Sequence, residues 1–151
     1  MQLARFMIGQ GHEVAIISRP GGWLSERADE LGVTYIENPH IDNTLNPLPL
    51  WRAGKSLAQA IDQFKPDLVS CHSTIAGLVG RYTIRKQVPT IFTAHGWGFA
   101  TGIPQPRRGL VQKAEWLAAR WATKIICVSN YDRNLAIDVG VGTPSQGLTV
   151  H

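Results

Sequence analysis

A βαβ-like stretch between Asp67 and Phe99 constrains the fold more than any other feature of this sequence. It reads DLVSCHSTIAGLVGRYTIRKQVPTIFTAHGWGF, and its two short apolar runs, Asp67–Cys71 and Thr90–Ala94, each come soon after a proline. Such runs are typical of buried parallel strands. Four apolar residues recur between them at helical spacing: Ile75, Leu78, Val79 and Tyr82. The crossover between the two strands is therefore predicted to be a helix.

Two histidines mark the ends of these strands. His72 and His95 are predicted to lie just past the carboxyl ends of neighbouring strands, where open α/β sheets bind ligands. Gly96, which follows His95, lets a backbone approach a ligand closely. A histidine there can hold a sugar hydroxyl or a phosphate and can move a proton near neutral pH. The alternative is that His95 is a structural residue hydrogen-bonded to nearby backbone.

The same alternation of strands and helices extends along the whole chain. It predicts an α/β fold with a doubly wound, Rossmann-like parallel sheet. We expect strands 67–71, 90–94 and 124–128 to be adjacent in that order, and strand 14–18 either to lie across a gap or to pair with strand 67–71. The other predicted segments are helices at 1–8, 24–31, 51–64, 110–121 and 130–139, strands at 33–36 and 148–150, and a loop from Asn38 to Pro49.

The size and composition of the chain fit one globular domain. It has 151 residues, of which 44% are hydrophobic and 17% are charged. It contains no run of the roughly 20 apolar residues that a membrane-spanning helix needs, and its first residues are too polar for a signal peptide. These features predict a cytoplasmic protein.

The two cysteines, Cys71 and Cys127, each lie inside an apolar strand-like run. They are predicted to be buried, reduced thiols that act as small hydrophobic residues. The adjacent pair Cys71-His72 does not predict a metal site, since no second pair with ligand spacing exists.

The net charge of +4 is modest, and basic residues gather in two places: Arg81, Arg85 and Lys86, and Arg107, Arg108, Lys113 and Arg120. The simplest interpretation is a solvated surface. The alternatives are an anionic membrane surface or nucleic acid. No zinc-finger or RNA-recognition signature supports nucleic acid, so no nucleic-acid partner is expected and a peripheral membrane contact is the better alternative.

Three shorter motifs have both a structural and a functional interpretation. Gly54-Lys55-Ser56 lacks the upstream glycine and strand of a phosphate-binding loop and is rejected as one. Gly21 and Gly22 lie between a strand and a helix, where backbone amides can face an anion, although a plain turn explains them too. Ser129 and Asn130 follow another strand and can cap the next helix, which is compatible with a ligand contact. The sequence has no G-x-S-x-G nucleophile elbow, which weakens the case for a hydrolase.

Taken together, several segments resemble the amino-terminal domain of family-4 glycosyltransferases of the GT-B fold. These segments are GQGHEVAIISRPGGWLSERADELGV, DLVSCHSTIAGLVGR, FTAHGWGFATG, KAEWLAARWATKIICVSNYDRNLAI and GLTVH. The resemblance covers nearly the whole chain. It implies retaining transfer of a sugar from a nucleotide-sugar donor to a polysaccharide or lipid-linked acceptor, with no cofactor beyond the donor substrate.

The resemblance also implies roles for individual residues. His95 matches the histidine that faces the transferred sugar, so it is the expected catalytic residue. His72 and Ser73 match acceptor-side residues, and Glu115 matches a recurrent glutamate with a structural role. Gly21, Gly22, Gly96, Ser129 and Asn130 complete the expected substrate-binding set, which includes no metal ligand.

The sequence also departs from the family pattern. The first strand and glycine-rich loop, the Asn-Gly expected after His151 and the donor domain with its Glu-x7-Glu pair are not found. Residues 1–151 are therefore expected to be an incomplete acceptor-side domain, truncated at both ends and inactive alone, in an enzyme at the inner face of the membrane. A non-catalytic nucleotide-binding α/β module and a GT-B-type sugar-nucleotide epimerase remain as alternatives.

Overall fold

The computed structural model describes residues 1–100 and 102–149, and the chain divides into two compact units, Met1–Lys65 and Pro66–His151. Both units consist of parallel strands connected by helices, which confirms the predicted α/β class. The elements, in chain order, are α1 (Gln2–Gly9), β1 (Ala15–Ser18), α2 (Trp23–Leu31), β2 (Thr34–Glu37), α3 (Pro47–Phe64), β3 (Val69–His72), α4 (Thr74–Ile84), β4 (Thr90–Ala94), α5 (Arg107–Ala119), β5 (Lys124–Cys127), α6 (Asn130–Asp138) and β6 (Gly147–Thr149).

The first unit contains a two-stranded parallel sheet in which β1 pairs with β2. The Tyr35 hydroxyl of β2 lies 2.8 Å from Ser18 Oγ of β1 and also donates to the Arg19 carbonyl. Asn38 is fully buried, and its side-chain amide donates to the Ala53 carbonyl of α3 at 3.0 Å. These contacts connect both strands and the third helix of this unit.

Helix α3 begins earlier than the sequence predicted. The prediction placed a loop at 38–49 and the helix start at Trp51, whereas the helix includes Pro47 and Pro49. Asn46 caps it, since its side-chain oxygen accepts the Leu48 amide at 3.1 Å. Proline in the first turn loses no helical hydrogen bond, because amides there have no partner within the helix. The prolines that indicated a loop therefore belong to the start of the helix.

The second unit contains a four-stranded parallel sheet in the order β3-β4-β5-β6. Phe92 of β4 pairs with Cys71 of β3 on one side and with Ile125 of β5 on the other. The predicted adjacency of the strands at 67–71, 90–94 and 124–128 is thus confirmed. The strand predicted at 14–18 belongs to the two-stranded sheet of the first unit. The strand predicted at 148–150 is described only as far as Thr149, and Val150 lies outside the described residues.

Two glycines let α4 pack closely on this sheet. A Cβ atom on Gly77 would lie 2.3 Å from Cε2 of Phe92, and one on Gly80 would lie 2.4 Å from the Cys71 sulfur. Only glycine allows this approach, because such distances are far below van der Waals contact. Cys71 and Phe92 are consequently buried beneath α4.

Helix α5 buries a different face from the one predicted. The sequence placed Leu110, Ala114, Leu117 and Trp121 on the apolar side, but Leu110 is 58% exposed and the helix ends at Ala119. The buried positions are Val111, Glu115, Ala118 and Ala119. The periodicity argument was wrong here because it excludes charged residues from the buried face, and Glu115 is fully buried.

Both cysteines are buried and free, as predicted. Burial raises the pKa of the Cys71 thiol to about 11 and also raises that of Cys127. Neither thiol therefore forms a thiolate readily near neutral pH. None of the helices in residues 1–100 and 102–149 is long and apolar enough to cross a membrane.

Candidate functional site

The two histidines of the predicted site lie at the carboxyl edge of the four-stranded sheet. His95 directly follows β4, as predicted, whereas His72 is the last residue of β3 rather than the residue after it. Strand β3 extends to His72 because that residue still pairs with Thr93 of β4. Since α4 covers Cys71 and Phe92 on one face, the alternation of side chains along a strand places Ser70, His72 and His95 on the other face.

The side chains of His72 and His95 are in direct contact. His72 Nδ1 lies 3.2 Å from His95 Nε2, and the ring centroids are 5.5 Å apart. The other ring nitrogen of His72, Nε2, lies 3.1 Å from Ser70 Oγ. All three residues retain solvent-exposed surface although His72 is partly covered, so the hydrogen-bonded chain from Ser70 to His95 is open to solvent at this edge.

The electrostatics of this pair favour a neutral His72. Partial burial lowers its pKa below the ordinary value of 6.5, and the neighbouring His95 lowers it further. At pH 7 the His72 imidazole therefore carries one ring proton and can donate to only one of its two neighbours.

The backbone at both strand ends has unusual conformations. Ser73, between β3 and α4, has φ 72° and ψ 155°, a combination that costs a residue with a side chain about 1 to 3 kcal/mol. Gly96, after His95, has φ 135°, which only glycine adopts without strain. Backbone strain of this kind concentrates at ligand sites, where the surrounding structure holds it in place. Both residues were predicted to bind substrate.

The loop that carries His95 is anchored by aromatic residues that were not singled out in the sequence. Trp97 is buried, stacks on Phe99 at 5.0 Å and donates its indole N–H to the Asp132 carbonyl at 2.8 Å. Arg108 Nε donates to the Phe99 carbonyl at 2.9 Å. These contacts attach the loop to α5 and α6, so the backbone on both sides of His95 is held, by β4 before it and by Trp97 after it.

Ser129 and Asn130 lie at the same edge, after β5. Ser129 caps α6, as predicted: its hydroxyl accepts the Asp132 amide at 3.0 Å and donates to the Asp132 carboxylate at 2.6 Å. The Asp132 carboxylate thus already occupies the first turn of this helix, where an anion is favoured. Asn130, the first residue of α6, is exposed.

Gly21 and Gly22 belong to the first unit and connect β1 to α2. Gly21 has φ 69°, and Gly22 caps α2, with its carbonyl accepting the Ser25 hydroxyl at 2.7 Å. The six other predicted site residues, His72, Ser73, His95, Gly96, Ser129 and Asn130, all lie at the carboxyl edge of the sheet in the second unit.

A buried ion pair joins α4 and α5. Arg81 of α4 and Glu115 of α5 are both fully buried, with Nη2 and Oε2 2.6 Å apart. Arg81 Nε also donates to the Gly77 carbonyl, and its guanidinium lies 3.9 Å from the centroid of the Phe92 ring. Burial raises the pKa of the Glu115 carboxyl, and Arg81 opposes that rise. This arrangement fits the structural role expected for Glu115 and adds Arg81 as its partner.

The basic residues considered for a membrane contact do not form one cluster. Arg107 begins α5 and Arg120 follows its last residue, so a helical rise of about 20 Å separates their backbones. Arg108 is engaged with the Phe99 carbonyl. Around Arg120, however, basic and aromatic side chains do combine: its guanidinium lies 5.3 Å from the ring centroid of Trp116 and 5.9 Å from that of Trp121.

Comparison with known proteins agrees with this fold. The family model described as Glycosyltransferase Family 4 matches residues 1–145. A match over this much of the chain places it in the class of proteins that the model describes. The chain belongs to glycosyltransferase family 4.

Individual relatives support the same assignment. The chain is 25% identical over 127 residues to the Escherichia coli UDP-Gal:alpha-D-GlcNAc-diphosphoundecaprenol alpha-1,3-galactosyltransferase, an alignment that covers 83% of this chain and 33% of that protein. A glycosyltransferase from Rickettsia africae superposes with a TM-score of 0.73 at 21% identity, over 99% of this chain and 37% of the other. Anabaena HepE, solved with UDP-glucose, has the same TM-score at 15% identity, over 99% and 38%.

These structural neighbours show that the fold is part of a GT-B fold. The chain spans about a third of the length of the curated relative and slightly more of the solved structures.

Proposed function

We propose that the protein containing this chain is a retaining glycosyltransferase that transfers a sugar from a nucleotide-sugar donor to a polysaccharide or lipid-linked acceptor. The observation that carries the proposal is the contact between His72 and His95 at the carboxyl edge of the parallel sheet. Membership of glycosyltransferase family 4 supports the reaction class.

In this proposal the second unit supplies the acceptor side of the active site. His95 is the catalytic residue: its imidazole hydrogen-bonds the sugar that is transferred and stabilises charge that develops as the donor bond breaks. His72 and Ser73 line the acceptor side of the site, and Gly96 leaves the backbone beside His95 open to the ligand. Because β4 and Trp97 hold the loop on both sides of His95, the imidazole needs little rearrangement when substrate binds.

The substrate class follows from the relatives by analogy. The name of the E. coli relative specifies a UDP-sugar donor and a lipid-diphosphate acceptor, and HepE was solved with UDP-glucose. We infer a uridine-diphosphate sugar as donor and a lipid-linked saccharide as acceptor. The donor is held by a second domain, so residues 1–151 alone transfer no sugar.

A lipid-linked acceptor also favours a peripheral contact with an anionic membrane at its cytoplasmic face. Lys113 and Trp116 share one face of α5, and Arg120, directly after the helix, follows Trp116 at a spacing of four residues. Trp116 is 53% exposed, and tryptophan beside basic residues suits the boundary between lipid headgroups and acyl chains. We therefore take this basic and aromatic surface as the membrane contact, instead of the patch that included Arg107 and Arg108.

The experiment is a transfer assay with the enzyme that carries a donor domain. His95→Ala should reduce turnover roughly 100-fold or more, the usual scale for losing a positioned acid, base or polar stabiliser. His40→Ala, which changes a histidine of the first unit outside the site, is the matched control and should leave turnover unchanged. Near-normal turnover for His95→Ala, or a drop in melting temperature large enough to explain the loss, would refute the role of His95.

The same assay tests the alternative enzyme class. An epimerase would convert the nucleotide sugar without an acceptor and release no nucleoside diphosphate. Acceptor-dependent release of the nucleoside diphosphate therefore distinguishes transfer from epimerisation.

A further inference from the structure

Ser70 has no part in the function described so far, yet it is in contact with the site. Ser70 and His72 are separated by one residue on β3, so their side chains share a face of the sheet. Ser70 Oγ lies 3.1 Å from His72 Nε2, and His72 Nδ1 lies 3.2 Å from His95 Nε2. Both nitrogens of the His72 ring are therefore engaged, one by a neighbour on its own strand and one by the catalytic histidine.

The number of ring protons makes these two contacts dependent on each other. A neutral His72 has one N–H donor and one nitrogen acceptor, so if it donates to one neighbour it must accept from the other. The Ser70 hydroxyl can donate or accept. In either direction the Ser70 hydroxyl supplies the protein partner of His72 Nε2. In both directions His95 Nε2 is occupied, and no partner for His95 Nδ1 is found among residues 1–100 and 102–149.

We propose that Ser70 and His72 are positioning residues for His95: the hydrogen-bonded chain holds the His95 imidazole through Nε2 and leaves Nδ1 to meet a hydroxyl of the transferred sugar. The role in transfer rests on the proposed function. Ser70 touches no reacting atom in this scheme. It holds the His72 ring, and the His72 ring holds the orientation of the His95 imidazole.

The surrounding structure favours a fixed geometry for this chain. His72 is registered to Thr93 of β4, two residues before His95, so the hydrogen bonds between the strands set the spacing between the two rings. The lowered pKa of His72, caused by burial and then by His95, keeps it neutral at pH 7 and preserves its one-donor, one-acceptor pattern. A third group that orients the residue acting on substrate is a recurrent feature of catalytic sites.

The first test needs no catalysis. The ring-nitrogen NMR signals of the histidines are compared in the wild type, Ser70→Ala and Ser70→Thr. We expect Ser70→Ala to shift the signals of both His72 and His95, and Ser70→Thr, which keeps the hydroxyl and suits a strand, to restore them. The His40 signals serve as an internal reference. If the His95 signals are unchanged in Ser70→Ala, the proposal is wrong.

The second test is kinetic and uses the enzyme with its donor domain. Ser70→Ala should lower kcat about two- to tenfold, the rate equivalent of one hydrogen bond, with little change in the KM for either substrate. Ser70→Thr should recover the rate, and Ser56→Ala, which removes a hydroxyl from α3, is the matched control. An unchanged kcat, or an equal loss in Ser56→Ala, would overturn the positioning role. If the wild-type enzyme transferred no sugar, the proposed function would be wrong, whereas the NMR comparison would still decide whether Ser70 and His72 hold His95.

Discussion

The buried pair Arg81–Glu115 allows a quantitative prediction about stability. Both side chains are fully buried, and one contact of 2.6 Å joins them. Glu115→Gln leaves the guanidinium of Arg81 buried without a counter-charge, beside the Phe92 ring and the Gly77 carbonyl. Removing one partner of a buried pair typically costs about 3 to 5 kcal/mol of unfolding free energy. We therefore expect a loss of that size for Glu115→Gln, and a similar loss for Arg81→Met.

The double variant Arg81→Met/Glu115→Leu should behave differently. Burial raises the pKa of the Glu115 carboxyl, and Arg81 opposes that rise. The attraction within a buried ion pair often fails to repay the desolvation of its two charges. Removing both charges together eliminates that desolvation cost. The double variant should therefore lie within about 2 kcal/mol of the wild type, which allows for imperfect packing of the new side chains.

The assay is urea unfolding of the purified variants, followed by tryptophan fluorescence and circular dichroism at pH 7. Glu13→Gln, at an exposed glutamate, is the control and should change stability by less than about 0.5 kcal/mol. The wild type, the two single variants and the double variant form a double-mutant cycle, which gives the coupling free energy between Arg81 and Glu115 directly. If the losses of the single variants simply add in the double variant, the two residues are not a coupled buried pair and the reasoning fails.

Three further predictions concern packing, pH and the membrane. Gly77→Ala should lower the free energy of unfolding by about 1 to 3 kcal/mol or more, because the new Cβ would lie 2.3 Å from Phe92. Chemical denaturation measures this loss. The control is Gly9→Ala, where nothing lies within 4 Å of the new Cβ, and it should be neutral. The pKa of His72 is lowered in the folded protein, so as the pH drops below 6.5 the unfolded state takes up the proton first, and the free energy of unfolding should fall until the pH passes the folded pKa. The melting temperature of His72→Gln should vary less over this pH window than that of the wild type. Equal slopes of melting temperature against pH would contradict the assignment of this effect to His72. The double variant Trp116→Ala/Arg120→Ala should co-sediment less with anionic vesicles than the wild type. The difference should be larger at low salt, because high salt already screens the wild-type contact. Equal binding of the wild type to neutral and anionic vesicles would show that this basic and aromatic surface is only solvated.

The order of elements and the main position of the site could be predicted from the sequence. The apolar runs around Asp67 and Thr90 indicated parallel strands, and the residues between them indicated a crossover helix, because both patterns arise from the backbone periods of strand and helix. The carboxyl ends of parallel strands meet at one edge, so the proximity of His72 and His95 followed from topology. The cap at Ser129 was equally accessible, since it depends on neighbouring residues alone.

Contacts between distant residues were decided only by the tertiary structure. Arg81 and Glu115 are 34 positions apart, and no local pattern indicates that one charge will neutralise the other in the core. The buried face of α5 is shifted by one residue from the predicted one, so that it includes Glu115 and leaves Leu110 exposed. The contact of Ser70 with His72 is implied by strand alternation, but its continuation to His95 depends on the register between β3 and β4. Local periodicity thus determines which elements form, whereas the register and close packing between them determine which polar groups meet.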